Sequence, residues 1–253
     1  MQSGVGEDER HCFKRLHARL IFNHLIRRNK MEDVLSYNPR WKTPLNVMVV
    51  GPALAGKTTF IYRLLRHRNW LMDRPPKKIV YCYGAWQPLF EQIRDEFEVQ
   101  FVEGLPEKPY DYFVKPEHRP GLILLDDLMS EMCNNTSIEQ CFTKGTHHYD
   151  VTLVALLQNV FPKGMRTASV NAHILVLFPN PRDKLQIQTL ARQAFPGQWS
   201  WVKRALTEVK RHPYEPIVLD FQQQTPDAYR IRTDLFPEDL SVTGHPFSRL
   251  FLP

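Results

Sequence analysis

The sequence has few cysteines, no long apolar run and no acidic residue in its basic N-terminal stretch. Its four cysteines form no C-x-x-C pair and lack the spacing to histidine that suits zinc; they are Cys12, Cys82, Cys133 and Cys141. This pattern favours free thiols in a reducing compartment. No apolar run approaches the length of a membrane span, and residues 10–30 are basic rather than apolar, unlike a secretory signal. We therefore expect an intracellular protein that has no membrane partner.

Glycine is also scarce. With 11 glycines against 20 prolines, the chain should contain many rigid connections. Its 253 residues are enough for one sizeable core, alone or with a small appendage. The net charge of +6 favours an anionic partner, although a basic balance is also common in proteins that never bind nucleic acid.

Apolar strands alternate with helices along most of the chain. Strands are predicted at 45–50, 77–83, 99–103, 121–127, 151–157, 173–178, 216–221 and 229–233. Helices are predicted at about 57–67, 88–97, 181–195 and 198–211, with a further helical stretch after the fourth strand and a basic amphipathic helix at 9–30. Continuous apolar strands separated by helices indicate an α/β fold with a mostly parallel sheet that is covered on both faces.

The segment GPALAGKTT matches the phosphate-binding pattern G-x-x-x-x-G-K-[ST], with a strand before it and a helix after it. Backbone N–H groups of such a loop point at a triphosphate, and the helix N-terminus adds its positive end. Lys57 would reach the β- and γ-phosphates, the Thr58 hydroxyl would bind Mg²⁺, and Leu54 must point away from the phosphates. The predicted nucleotide-binding residues are Gly51, Pro52, Ala53, Leu54, Ala55, Gly56, Lys57, Thr58 and Thr59. A chance glycine turn is the alternative.

The segment GLILLDDLM supplies the acidic partner of this loop. Its apolar run delivers Asp126 to the carboxyl end of a strand, where ligands of open α/β sheets bind, so Asp126 is the predicted second metal residue. Asp127 would polarise the attacking water, and Glu131 is a possible substitute for it. The alternative is an acidic helix cap after a core strand.

Gln158 and Asn159 follow the apolar run of the predicted strand at 151–157. In P-loop ATPases whose catalytic acid follows the metal-binding Asp, one strand is inserted between the loop strand and the metal strand. A polar side chain at its end faces the γ-phosphate. Gln158 is therefore the candidate sensor of the γ-phosphate, whereas Asn159 is interpreted as a polar strand end.

Several segments together resemble the genome-packaging ATPases of the FtsK/HerA superfamily. They are GPALAGKTT, VYCYGAWQPLF, LILLDDLM, FTKGTHHYDVTLVALLQNVFPKG, VNAHILVLFPNPRDKLQIQTLARQ and YRIRTDLFP. The chain looks most like the ATPases of Polinton (Maverick) elements and adintoviruses, and more distantly like the poxvirus packaging ATPase. The resemblance runs from about residue 44 to 237, and its most specific part lies between Phe142 and Arg192.

This resemblance implies a P-loop NTPase three-layer sandwich of the additional-strand catalytic-acid type, over residues 44–237. A basic helical segment at 1–43 would precede it, and a tail at 238–253 would follow. It implies ATP and Mg²⁺ as cofactors, with catalytic roles for Lys57, Asp127 and Gln158. It also implies a homo-oligomeric ring, a pentamer or a hexamer, in which a neighbouring subunit supplies an arginine. Arg166 is the first candidate, before Arg182 and Arg192, and a surface or ion-paired arginine is the alternative for each.

The partners implied are double-stranded DNA and a capsid or portal-like protein. The expected location is the host nucleus or the site of virion assembly, with association to the virion as a further expectation. Loops that face a central channel should contact DNA phosphates. The candidates are Lys144, His147, His148, Lys163 and Arg166. The basic helix at 9–30 could contact DNA, a capsid protein or a neighbouring subunit, or be a solvated face.

Two other function classes stay open on sequence grounds. A GTPase should carry N-K-x-D, which the NPRD segment is not, and a nucleotide kinase needs an arginine-rich lid, which is not evident. A non-catalytic or domesticated nucleotide-binding scaffold remains an alternative, because Asp127 is shorter than the Glu that most such ATPases use.

Overall fold

The computed structural model describes residues 37–133, 135, 141–162, 164–182, 184–197, 199–209, 214–233 and 235–239. The predicted basic helix at 9–30 and almost all of the tail at 238–253 lie outside these residues. The strands and helices described here belong to the compact unit that begins at Pro39. The predicted division of the chain at 43/44 and 237/238 stays a prediction.

Eight strands form one sheet in the order β3-β2-β4-β5-β1-β6-β7-β8. They are β1 (Asn46–Val50), β2 (Lys78–Tyr83), β3 (Val99–Glu103), β4 (Gly121–Asp126), β5 (Val151–Leu157), β6 (Ile174–Leu177), β7 (Ile217–Asp220) and β8 (Ile231–Arg232). Strands β1 to β6 are parallel, and β7 and β8 add antiparallel pairs at one edge. The predicted α/β class with a mostly parallel sheet is therefore confirmed.

The helices lie between the strands, as the alternating pattern predicts. They are α1 (Lys57–Arg66), α2 (Arg68–Leu71), α3 (Pro88–Glu96), α4 (Met129–Cys133), α5 (Thr146–Tyr149), α6 (Arg166–Val170), α7 (Lys184–Ala194) and α8 (Trp199–Val209). The short helix α6, which begins at a candidate arginine, was not predicted from the sequence. Within the described part of the chain, no helix combines the length and the apolar character needed to cross a membrane.

The core has two layers, one on each face of the sheet. Successive residues of a strand point to opposite faces, so Val47 and Val49 pack in one layer while Met48 and Val50 pack in the other. Helices α1 and α3 cover the first layer, and α4, α7 and α8 cover the second. Leu64 of α1 is fully buried, and truncating such a leucine to alanine costs about 2–5 kcal/mol of stability. The fold is thus a three-layer sandwich.

Strand β5 is inserted between β1 and β4. It pairs in parallel with both, with Leu157 opposite Val50 and Ala155 opposite Leu125. The buried side chain of Asn46 at the start of β1 accepts a 2.6 Å hydrogen bond from Thr146 Oγ1 just before β5. The topology therefore brings the carboxyl ends of β1, β5 and β4 to the same edge of the sheet.

A buried ion pair joins the two antiparallel strands. Arg232 Nη2 lies 2.6 Å from Asp220 Oδ2, and both residues are about 1% exposed. Arg232 Nη1 also donates to Pro39 O at 2.8 Å, and Asp220 Oδ1 accepts from Thr225 Oγ1 at 3.0 Å. Because these charges have lost their water, removing one partner should cost about 3–5 kcal/mol. The pair fastens β7 and β8 to the beginning of the compact unit.

Candidate functional site

Two positions of the loop between β1 and α1 allow only glycine. A Cβ on Gly51 would lie 2.6 Å from Phe178 Cβ, which is closer than real atoms approach. Gly56 has φ 98°, in the left-handed region, and caps α1. Leu54 is also left-handed, with φ 61°, and its side chain is 94% exposed. The backbone of the loop therefore requires glycine at positions 51 and 56, and the Leu54 side chain is turned to solvent.

Lys57 is folded back onto this loop. Its Nζ donates hydrogen bonds to Gly51 O at 2.7 Å and to Pro52 O at 2.8 Å. Burial lowers the pKa of the Lys57 ammonium group, against the opposing effect of the nearby Asp126 and Asp127 carboxylates. The side chain thus holds the ends of the loop together while its charge stays within the cleft.

Asp126 ends β4 as a buried carboxylate that is held by two hydroxyl groups. Thr58 Oγ1 donates to Asp126 Oδ2 at 3.3 Å, and Tyr81 OH donates to the same oxygen at 2.8 Å. Burial raises the pKa of the Asp126 carboxyl group, although the bonds from Tyr81 and Thr58 and the charge of Lys57 act in the opposite direction. The structure therefore brings together the two predicted metal residues, Thr58 and Asp126.

Tyr81 was not singled out from the sequence. It lies on β2, is fully buried, and reaches Asp126 because β2 pairs with β4. Burial, with the adjacent Asp126 carboxylate, raises the pKa of Tyr81 well above its usual value, so its hydroxyl stays a donor. The apolar pattern of β2 contains no signal for this contact, because the contact depends on strand order and register.

Asp127 is exposed and has φ 57°, in the left-handed region. The turn is supported by Gly84, whose N–H donates to Asp126 O at 3.0 Å. A Cβ on Gly84 would lie 2.3 Å from Asp127 O, so this position also requires glycine. Strained backbone of this kind concentrates at functional sites. Glu131 is directed elsewhere, since its Oε2 accepts from Leu105 N at 3.0 Å.

Gln158 follows β5 directly and is exposed. It lines the same open cleft, of about 810 Å³, as the phosphate loop and the two aspartates. The lining residues are Ala53, Leu54, Gly56, Lys57, Thr58, Thr59, Gln87, Pro88, Leu89, Asp126, Asp127, Met129, Leu156, Gln158 and Tyr214. The predicted metal, base and sensor positions and six of the nine predicted loop residues therefore lie around one cavity, whereas Gly51, Pro52 and Ala55 do not line it.

The three candidate arginines lie outside this cleft. Arg166 begins α6, is exposed, and makes no ion pair with any residue in the described part of the chain; it borders a separate groove with Phe161 and Val170. Arg182 is exposed in a turn, and the guanidinium of Arg192 lies 5.1 Å from the centre of the Trp199 ring. Arg192 thus has a partner within its own chain, whereas Arg166 is exposed and forms no ion pair with the described residues.

Of the predicted DNA-contacting residues, His148 is exposed on α5. Lys163 and the side chains of Lys144 and His147 lie outside the described residues.

Together these features define the class of protein. A G-x-x-x-x-G-K-T loop joins a central strand to a helix, an acidic strand end lies two strands away, and one strand is inserted between them. This is the α/β P-loop NTPase fold of the additional-strand catalytic-acid type.

Comparison with known proteins gives matches among solved structures. The chain is similar to the genome packaging NTPase B204 of Sulfolobus turreted icosahedral virus 2 in complex with sulfate, with 14% identity and a TM-score of 0.46 over 78% of this chain and 96% of that one. The same NTPase in complex with ATP-γS gives 16% identity and a TM-score of 0.45, over 78% and 98%. A KaiC-like protein of Pyrococcus horikoshii OT3 gives 14% identity and a TM-score of 0.40, over 75% and 84%.

No protein-family model matches the sequence, and no curated protein matches it. At the identities of the solved structures the similarity concerns the fold, so the function must rest on the chain's own site.

Proposed function

We propose that this chain is a Mg²⁺-dependent ATPase that drives double-stranded DNA of a virus or mobile element into a capsid. The observation that carries the ATPase part is the cluster of Lys57, Thr58 and Asp126 at one cleft, with Thr58 Oγ1 3.3 Å from Asp126 Oδ2. A hydroxyl and a carboxylate oxygen side by side are hard oxygen ligands of the kind Mg²⁺ prefers. Bound there with the nucleotide, Mg²⁺ would neutralise charge on the β- and γ-phosphates.

The residues of the chain would divide the remaining work. The backbone of residues 51–58 would bind the phosphates, and Lys57 would leave its two loop carbonyls for the β- and γ-phosphate oxygens. Asp127, exposed in the cleft, would accept a proton from the attacking water. Gln158 would contact the γ-phosphate. When hydrolysis removes this phosphate, the loss of the contact would change the position of the segment that follows β5.

The packaging part of the proposal is supported by sequence features. These are the net charge of +6 and the segments, chiefly between Phe142 and Arg192, that resemble packaging ATPases. Under this proposal the chain acts in a homo-oligomeric ring with Arg166 contributed to the neighbouring cleft. It would work with a capsid or portal-like protein at the site of virion assembly or in the host nucleus.

ATP hydrolysis with and without duplex DNA tests this proposal. We expect turnover that duplex DNA stimulates and that Lys57→Ala and Asp127→Asn both abolish, with Lys108→Ala, an exposed lysine outside the cleft, as the matched control. A preference for GTP, or turnover that survives Lys57→Ala, would contradict it.

A nucleotide-binding scaffold is the second candidate, favoured by the short side chain of Asp127. It predicts ATP binding without turnover, and turnover that appears only in Asp127→Glu. Turnover by the wild type excludes it.

A further inference from the structure

An aromatic side chain that the sequence analysis did not single out lies against the phosphate loop. A Cβ added to Gly56 would lie 3.2 Å from Tyr214 Cβ and 3.5 Å from Tyr214 Cδ1. Tyr214 is 71% exposed and lines the same cleft as Lys57 and Thr58. Its φ is 68°, in the left-handed region that bulky residues seldom adopt. An exposed ring held in strained backbone beside a ligand cleft is a candidate binding residue.

The sheet order places Tyr214 at the opposite end of the cleft from the acidic residues. Strand β1 has β5 and β6 as its two neighbours, and Asp126 ends β4, beyond β5. Tyr214 precedes β7, which lies beyond β6. The ring of Phe178, which follows β6, packs against the loop, with its Cγ 3.3 Å from a Cβ built on Gly51 and its Cε1 3.5 Å from one built on Gly56. The two flanks of the loop therefore differ, with carboxylates on one and aromatic rings on the other.

A nucleoside triphosphate is an extended molecule with the γ-phosphate at one end and the base at the other. If its phosphates lie on the loop with the γ-phosphate towards Asp126 and Gln158, its base end extends towards the flank of Tyr214. An exposed ring at that flank offers a face on which a base can stack.

We propose that Tyr214 forms the wall of the nucleotide site against which the purine base of ATP stacks. This inference rests on the proposed nucleotide site and adds the residue that binds the base. Stacking on an aromatic ring depends on the π-face and is tolerant of base identity, so Tyr214 contributes affinity for the base and little discrimination between ATP and GTP.

Calorimetric binding of two ligands to the full-length chain, with Mg²⁺ present, tests the inference. The ligands are ATP and inorganic tripolyphosphate, which has the phosphates but no base. For Tyr214→Ala we expect ATP affinity to fall by about 5- to 150-fold, the range for removal of one base-stacking ring. Tripolyphosphate affinity should stay unchanged, and Tyr214→Phe should bind ATP like the wild type. Because the side chain is largely exposed, the alanine variant should fold normally.

The outcomes separate the inference from the function on which it rests. Lys57→Ala should lower the affinities for ATP and for tripolyphosphate together. If Tyr214→Ala leaves ATP affinity unchanged, or lowers the affinities for ATP and tripolyphosphate equally, Tyr214 does not bind the base. That result would leave the proposed nucleotide site uncontradicted. If the wild type binds neither ligand, both the nucleotide site and the inference are wrong.

Discussion

Replacing Tyr81 with phenylalanine removes a single buried hydroxyl group behind Asp126. That hydroxyl donates the 2.8 Å hydrogen bond to Asp126 Oδ2, and both residues are buried. A hydrogen bond to a charged group contributes about 1.5–3 kcal/mol. For a domain of this size 1 kcal/mol moves Tm by about 2–4 °C, so we expect Tyr81→Phe to lower Tm by about 3–12 °C near neutral pH.

The pH dependence of this loss distinguishes a bond to a carboxylate from simple packing. The bond favours the charged form of Asp126, so its contribution is present where Asp126 is ionised and is lost as the pH falls through the folded-state pKa. Burial raises that pKa above the usual 3.8. The stability difference between wild type and Tyr81→Phe should therefore begin to shrink at a pH above 3.8 and be smaller in acid than near neutrality.

The assay is thermal unfolding without nucleotide at about pH 7.5 and about pH 4.5. The matched control is Tyr83→Phe, two residues along the same strand, whose hydroxyl makes no hydrogen bond to a residue that the structure describes. In ATPase assays, Tyr81→Phe should also raise the Mg²⁺ concentration for half-maximal rate, by about 10–100-fold if Tyr81 orients the metal ligand. Equal losses for the two variants, or a loss independent of pH, would refute the role of Tyr81.

Two further predictions concern other residues around the site. Because burial raises the pKa of Asp126, its ionisation opposes folding, and this cost builds as the pH rises above the usual 3.8 and is complete above the folded-state pKa; Asp126→Asn should therefore raise the Tm of the nucleotide-free protein near neutral pH while abolishing ATPase activity. The gain should shrink in acid, and a gain that is the same at all pH values would contradict this origin. If Arg166 completes the neighbouring cleft, removing it should lower the rate by about 10³–10⁵, and Arg166→Ala subunits mixed into wild-type rings should reduce activity more than in proportion to their share. The control is Arg192→Ala, because Arg192 stacks on Trp199 of its own chain. If activity falls only in proportion to the share of Arg166→Ala subunits, Arg166 does not complete the neighbouring cleft.

The fold class and the phosphate loop could be predicted from the sequence because both depend on local chain properties. A phosphate cradle is made by consecutive backbone N–H groups, so its glycine and lysine positions have a fixed spacing at Gly51, Gly56 and Lys57. Buried parallel strands are continuous apolar runs, so their positions were visible within a residue or two. The predicted positions of Asp126 and Gln158 at strand ends followed from the same pattern.

Other parts of the site depended on which strands are neighbours. Tyr81 reaches Asp126 because β2 pairs with β4, and Tyr214 reaches Gly56 because it precedes β7, which pairs with β6 next to β1. Gly84 looks like an ordinary turn residue until the carbonyl of Asp127 is placed against it. The short helix α6, with five residues, has too few apolar positions to show a helical period.

The sequence by itself determined where the phosphate-binding motif lies, where the strands lie and which carboxylates end a strand. Only the tertiary structure decided which hydroxyl holds Asp126, which glycine permits the turn at Asp127 and which aromatic ring faces the cleft. The physical reason is that periodicity and loop chemistry depend on residues that are close together in the sequence. Contacts across a sheet are set by strand order and register, which follow from the packing of the whole core.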